Sequence, residues 1–208
     1  QYLLETFFLI ILLTGGFIWK AQEYRQQQVQ QEISEKILRF HVRANSDSSA
    51  DQTLKLKVRD AVGAYMQDKL ADVANLDECT SIVTRELPEV IHTAEQVISQ
   101  EGYDYPVSAR VEKVEFPVKT YGGYTFPAGD YQALNVIIGE GRGQNWWCVM
   151  YPNMCFHAAV YQVVDEDAKR SLQQVLSEDE YDAVLKSGQY QIRFKYLDIL
   201  NKLLKKNK

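Results

Sequence analysis

Residues that carry covalent or metal chemistry are scarce in this sequence. It holds three cysteines and three histidines in 208 residues, with no C-x-x-C and no H-E-x-x-H spacing. The common zinc-site patterns are therefore excluded, and no metal or other cofactor is expected. The G-x-S-x-G elbow of α/β-hydrolases and the Asp-Thr/Ser-Gly of aspartic proteases are missing as well. Cationic charge is short too. Lys+Arg number 23 against Asp+Glu 28, a net charge of -5. A broadly basic nucleic-acid binder, which needs a cationic footprint to neutralise phosphates, is excluded on that ground. Five prolines and 25% charged residues beside 46% apolar ones describe a folded chain rather than a disordered one.

One long apolar run is present, from Thr6 to Trp19, without a charge. As a helix it would span about 21 Å, short of the roughly 30 Å hydrocarbon core. With Gly15 and Gly16 near its end, it has the length of an export signal or a short N-terminal anchor, so residues 1–21 are expected to be one of these. The glutamine-rich residues 22–35 follow as a linker or exposed helix. Residues 36–208 are expected to form one α+β domain.

Within that domain, Leu38, Phe40, Val42 and Ala44 alternate with Arg39, His41 and Arg43, a half-buried strand pattern with the polar set facing out. Asn45 to Ser49 supply turn and helix-capping side chains. Leu54, Val58, Ala61, Val62 and Tyr65 recur at helical spacing after Asp51, with Leu56 off the stripe. A second helical region, Asp77 to Gln100, contains Pro88, which either kinks it or opens a separate helix. Residues 106–116, 131–139 and 145–151 are rich in Val, Ile, Tyr and Trp and read as strands, with 121–124 and 127–129 as loops between them. Ser177 and Glu180 form a capping-box signature. Tyr190 to Tyr196 alternate as a last strand, followed by a helix with lysines on one face. The sum is a mostly antiparallel sheet of about five strands packed with helices.

Gly139-Glu140-Gly141-Arg142-Gly143 lacks the third glycine of G-x-G-x-x-G and precedes a strand rather than a helix, so a hairpin loop is expected instead of a phosphate site. Cys148 and Cys155 flank Pro152-Asn153. In an exported protein they would form a disulfide, worth roughly 2.5 kcal/mol in the chain-entropy model. The competing reading is a catalytic cysteine with His157 or His41 as base. Trp146 and Trp147 point to opposite sides of a strand; either both pack, or one is an exposed anchor for a partner. The stretch from His41 to Asp47 reads as an active centre, a docking patch or simply a solvated strand face leading to a capped helix.

The run Leu38-Arg39-Phe40-His41-Val42-Arg43-Ala44-Asn45-Ser46-Asp47-Ser48, followed by Leu54 to Val62, resembles stage II sporulation protein R. The resemblance continues through Phe116 to Gly122, Pro127 to Leu134, Asn145 to Val149, Cys155-Phe156 and Arg193-Phe194-Lys195, in the same order over nearly the whole folded part. The resemblance implies an exported signalling protein of endospore formation, acting in the space between forespore and mother cell. Its implied partner is a membrane-embedded aspartic protease that processes the sigma-E precursor; no nucleic acid or small-molecule substrate is implied. The family provides no catalytic residues to carry over. Partner contact is accordingly expected at His41, Arg43, Asn45, Asp47, Trp146 and Trp147. The alternatives are an extracytoplasmic hydrolase using Cys148 or His41, and a cell-wall glycan-binding module.

Overall fold

The structure, a computed structural model, describes residues 2–152, 154 and 166–187. The expected last strand and final helix, together with Cys155 and His157, lie outside these residues. A long helix, α1 (Tyr2–Ser34), leads into strand β1 (Leu38–Arg43). Three helices follow: α2 (Ser49–Lys69), α3 (Leu76–Arg85) and α4 (Leu87–Gln100). Then come β2 (Val107–Phe116), β3 (Lys119–Tyr121), β4 (Tyr124–Phe126), β5 (Gly129–Ile138) and β6 (Asn145–Tyr151), and finally α5 (Glu166–Val175) and α6 (Glu178–Ser187). The α+β class expected from the sequence is observed.

Local signals account for most boundaries. Ser48 caps α2 by accepting from the Asp51 N–H at 3.1 Å. Leu54, Val58, Val62 and Met66 are buried along this helix, whereas Leu56 is exposed. Pro88 splits the second helical region: α3 ends at Arg85, and α4 begins with the proline in its first turn, where its missing N–H has no intrahelical partner to lose. The capping box at α6 is reciprocal, Ser177 N–H to Glu180 Oε2 at 2.6 Å and Glu180 N–H to Ser177 Oγ at 3.4 Å. Two short strands not expected from the sequence, β3 and β4, flank the 121–124 turn and form a separate hairpin. Helix α5 is not among the elements expected from the sequence.

The four-stranded sheet has the order β2-β5-β1-β6. It is mixed: β1 runs parallel to β5, while β1–β6 and β2–β5 are antiparallel. The parallel pair departs from the antiparallel expectation because the three helices between β1 and β2 give the chain the length to return anywhere along the sheet. The first strand is therefore inserted between β5 and β6. The 139–144 link is not a hairpin loop; it arches over the end of β1 to join the two strands that flank it, a span of about 10 Å.

This arch is pinned to the turn by which the chain leaves β1. Gly143 N–H donates to Ala44 O at 2.9 Å and Arg142 N–H to Asn45 O at 3.1 Å. Asn45 Oδ1 accepts from Glu140 N–H at 3.0 Å and Asp47 Oδ1 from Gln144 N–H at 2.8 Å. The glycines serve this contact. Gly139 sits at φ +58°, and a Cβ on Gly143 would run into the Ser46 carbonyl and lie 2.9 Å from Ala44 Cβ. Since the obstacle at Gly143 is backbone, Gly143→Ala is expected to destabilise the fold by about 2 kcal/mol, read as a lower urea midpoint at unchanged slope.

Each sheet face carries its own core. Leu38, Phe40 and Val42 of β1 pack with Leu134, Val136 and Ile138 of β5 beneath α2, α3 and α4. On the opposite face, Phe116, Tyr131, Ala133 and Val149 pack with the β3–β4 hairpin, Ile33 of α1, and Leu172 and Val184 of α5 and α6. Lys36 clamps the end of α1 to buried Glu180 of α6 at 2.7 Å. Further up α1, Phe17, Ile18 and Trp19 are exposed. Among the described residues, no helix is long and apolar enough to cross a membrane.

Candidate functional site

Because β1 is an inner strand with both faces covered, its polar alternates do not face solvent. Arg39 and His41, expected on an exposed face, are both fully buried. The period-2 pattern is correct, but the face it points to is a second core. Arg39 lies in a cage of rings, its guanidinium carbon 4.5 Å from the Phe116 centroid, 5.0 Å from Tyr131 and 5.3 Å from Phe126. It donates to the Tyr121 hydroxyl at 3.2 Å. Its Nε and Nη1 have no hydrogen-bond partner among the described residues. The ring faces stabilise the charge there in place of a carboxylate. Burial pushes the Tyr131 phenol up to about 12, although the Arg39 charge pulls the other way.

One step along the strand, the His41 ring lies between Trp147, at 4.9 Å, and Phe116, at 5.6 Å. Its cross-strand neighbours are Asn135 and Trp147. Burial lowers its pKa from 6.5 to about 4; Arg43 and Arg39 lower it further, while Asn135 and Glu112 work against them. The ring is thus neutral at pH 7. Among the described residues, neither ring nitrogen, nor Asn135 Oδ1, has a hydrogen-bond partner of normal geometry, whereas Asn135 Nδ2 donates to Glu112 Oε1 at 2.7 Å.

At the end of β1 the two stretches singled out in the sequence come together. The register sets His41 opposite Trp147, Val42 opposite Trp146 and Arg43 opposite Asn145. Arg43 Nε donates to Asn145 Oδ1 at 2.8 Å. Both tryptophans are half-buried, one on each side of the sheet. Trp146 packs edge-on against Phe40 at 5.6 Å under the Arg59 guanidinium, and Trp147 packs against Phe116 at 4.7 Å beside Lys119. Trp146 therefore does not share a surface with His41, Arg43 and Trp147.

The turn that follows is organised around one carboxylate. Asp51, buried, accepts from Ser46 Oγ at 2.5 Å and from Asn45 Nδ2 at 3.0 Å. The Ser46 bond above all, with Asn45 and Tyr105 adding, holds its carboxyl below the usual value. Lys55 closes the network from α2, donating to Gln52 Oε1 at 2.6 Å and to the Gln144 carbonyl at 3.1 Å. Asn45 and Asp47 are thus committed to the arch. The Asp47 side chain remains exposed around that bond, while Asn45 is half-buried.

Cys148 is buried opposite Phe40 with a free thiol, and the Cys155 half of the expected bridge lies outside the described residues. Among the described residues its Sγ–H reaches the Val149 carbonyl alone, at 3.8 Å, so Cys148 and His41 do not form a nucleophile–base pair. No group of three or more metal-ligating side chains occurs among the described residues.

Arg39, Asp51, Arg110 and Asn135 were not singled out by the sequence reading. For Asp51 a signal was available, since a serine-capped helix start three residues after Ser48 places an acidic side chain back onto the turn. For Arg39 and Asn135 none was, because their setting is made by residues about a hundred positions apart.

A protein-family model described as Stage II sporulation protein R matches residues 34–161. That span contains β1, β6 and the arch between β5 and β6. The chain is also 32% identical over 180 residues to Stage II sporulation protein R of Bacillus subtilis (strain 168), covering 83% of this chain and 80% of that protein. No solved structure matches.

Proposed function

This chain belongs to the stage II sporulation protein R family, and from that premise we propose that it is an exported signal of sporulation which activates a membrane-embedded aspartic protease. That protease then processes the sigma-E precursor in the mother cell. Its place of action is the space between the forespore and mother-cell membranes, with residues 1–21 as signal or tether. The exposed Phe17, Ile18 and Trp19 of α1 suit a segment that meets lipid.

The observation that carries this reading is family membership over most of the chain. The contact surface would be Arg43 and Trp147 at the end of β1, above the buried His41 and next to an arch fixed by Asn45, Asp47 and Asp51. A rigid turn of this kind loses little freedom on docking, so more of the contact energy remains for affinity. To act as an activator, the chain must bind the active form of the protease more tightly than the resting form; a tenfold shift requires about 1.4 kcal/mol of difference.

Reconstitution tests the proposal. The receptor protease, the sigma-E precursor and this chain with an export signal are placed together in a non-sporulating host, and precursor cleavage is followed by blot. Cleavage that depends on the exported form is the expected result. A folded, exported protein that leaves the precursor intact beside a competent protease would refute it.

A further inference from the structure

Among the described residues, the second face of the sheet is not covered along its whole length. Cross-strand rows can be followed from the register. Glu112, Ala133, Arg39 and Val149 form one row, and all but Glu112 are buried. The next row is Arg110, Asn135, His41 and Trp147, buried at its centre and open at both ends. The row after that, Ser108, Ile137, Arg43 and Asn145, is half-exposed throughout. The hairpin and the helices α1, α5 and α6 cover the first of these rows and stop short of the last.

Charge on this open end is mainly cationic, three basic groups against the Glu112 carboxylate. Arg43 and Arg110 flank it and Lys119 stands beside Trp147, and among the described residues none of the three is ion-paired. Glu112 on the same face is engaged by Asn135. The chain as a whole carries -5, so a local cationic surface around an aromatic ring runs against its average. The residues 188–208 contain six Lys and Arg against one Asp, so their charge is like that of the arginines rather than complementary to it.

We infer that this open end of the sheet receives an acidic, extended segment of the partner protease, with carboxylates on Arg43 and Arg110 and an apolar side chain against Trp147. The inference rests on the activator reading for the identity of the partner, and the chemistry of the surface selects the segment. From strand spacing, the two arginine Cα atoms lie about 12 Å apart on the diagonal, which an extended chain covers in three to four residues. Planar guanidinium groups suit bidentate pairing with carboxylates at that separation.

The full chain, its Arg43→Glu/Arg110→Glu variant and its Arg43→Gln/Arg110→Gln variant would be titrated with a fluorescein-labelled peptide of alternating threonine and glutamate, with the glutamine version of that peptide, and with phosphatidylglycerol vesicles. Circular dichroism melts confirm that each variant is folded. The wild type is expected to bind the glutamate peptide about tenfold tighter than the glutamine one, with affinity falling as salt rises. The glutamine variant should lose most of that preference and the glutamate variant all of it. Equal binding of both peptides, or a preference that survives charge reversal, overturns the inference; so does binding to the vesicles alone. The precursor-cleavage assay is run on the same proteins. Cleavage without charge discrimination refutes the acidic segment and leaves the activator reading standing, whereas discrimination without cleavage does the reverse.

Discussion

Acidification from pH 7 to pH 4 is expected to weaken the wild type by about 3 kcal/mol more than a His41→Phe variant. The imidazole titrates near 4 in the folded chain and near 6.5 in the unfolded one. Between those values the unfolded state binds the extra proton, so acid favours unfolding. The contribution is neutral above 6.5, grows as the pH falls, and is complete once the pH is below the folded value. Phenylalanine keeps the ring between Trp147 and Phe116 and takes away two buried nitrogens that have no partner among the described residues. At pH 7 the variant should therefore lie within about 1 kcal/mol of the wild type, on either side of it. Urea unfolding at several pH values gives the comparison directly. Parallel pH profiles for the two proteins would mean that His41 is solvated in the folded state.

The largest effect at neutral pH is expected from Asp51→Ala, about 3 kcal/mol, because the change leaves buried donors without an acceptor. Ser46 Oγ and Asn45 Nδ2 lose their common partner, and the turn that holds the arch loses its centre. Asp51→Asn, which keeps the shape but turns one acceptor into a donor, should fall between the two. The pH dependence has the same sign as that of His41, acid destabilising in both cases, but its window lies lower. A carboxyl held below its usual value of 3.8 contributes stability that is present above 3.8 and lost as the pH falls through the folded value. Wild type and Asp51→Asn should thus converge only in strong acid, below the range in which His41 acts. Equal urea midpoints for wild type and Asp51→Ala at pH 7 would contradict the network.

The two variants also separate stability from signalling. His41 lies beneath the proposed contact surface and Asp51 beneath the arch, so neither is expected to touch a partner. A change in activation by either should follow the fraction folded, while reversal of Arg43 and Arg110 should alter binding with little change in the melt.

The sequence by itself determined most of the secondary elements and several of their caps. The alternation in β1, the stripe of α2, the break at Pro88 and the Ser177–Glu180 box are signals within a few residues of one another, and backbone geometry converts them into structure locally. The family resemblance was legible for the same reason, being carried by short blocks in order. What only the tertiary structure decided is which strand became internal. Nothing near His41 states that three helices intervene before β2, that β5 will lie parallel beside β1, or that a hairpin and α6 will close the other face. Those are long-range pairings, and they turn an outward polar row into a second core with a caged arginine. They also turn a glycine-rich segment into an arch rather than a hairpin, because β1 occupies the place between β5 and β6. The open end of that second face is the remainder, where the covering elements run out and two arginines are left at the surface.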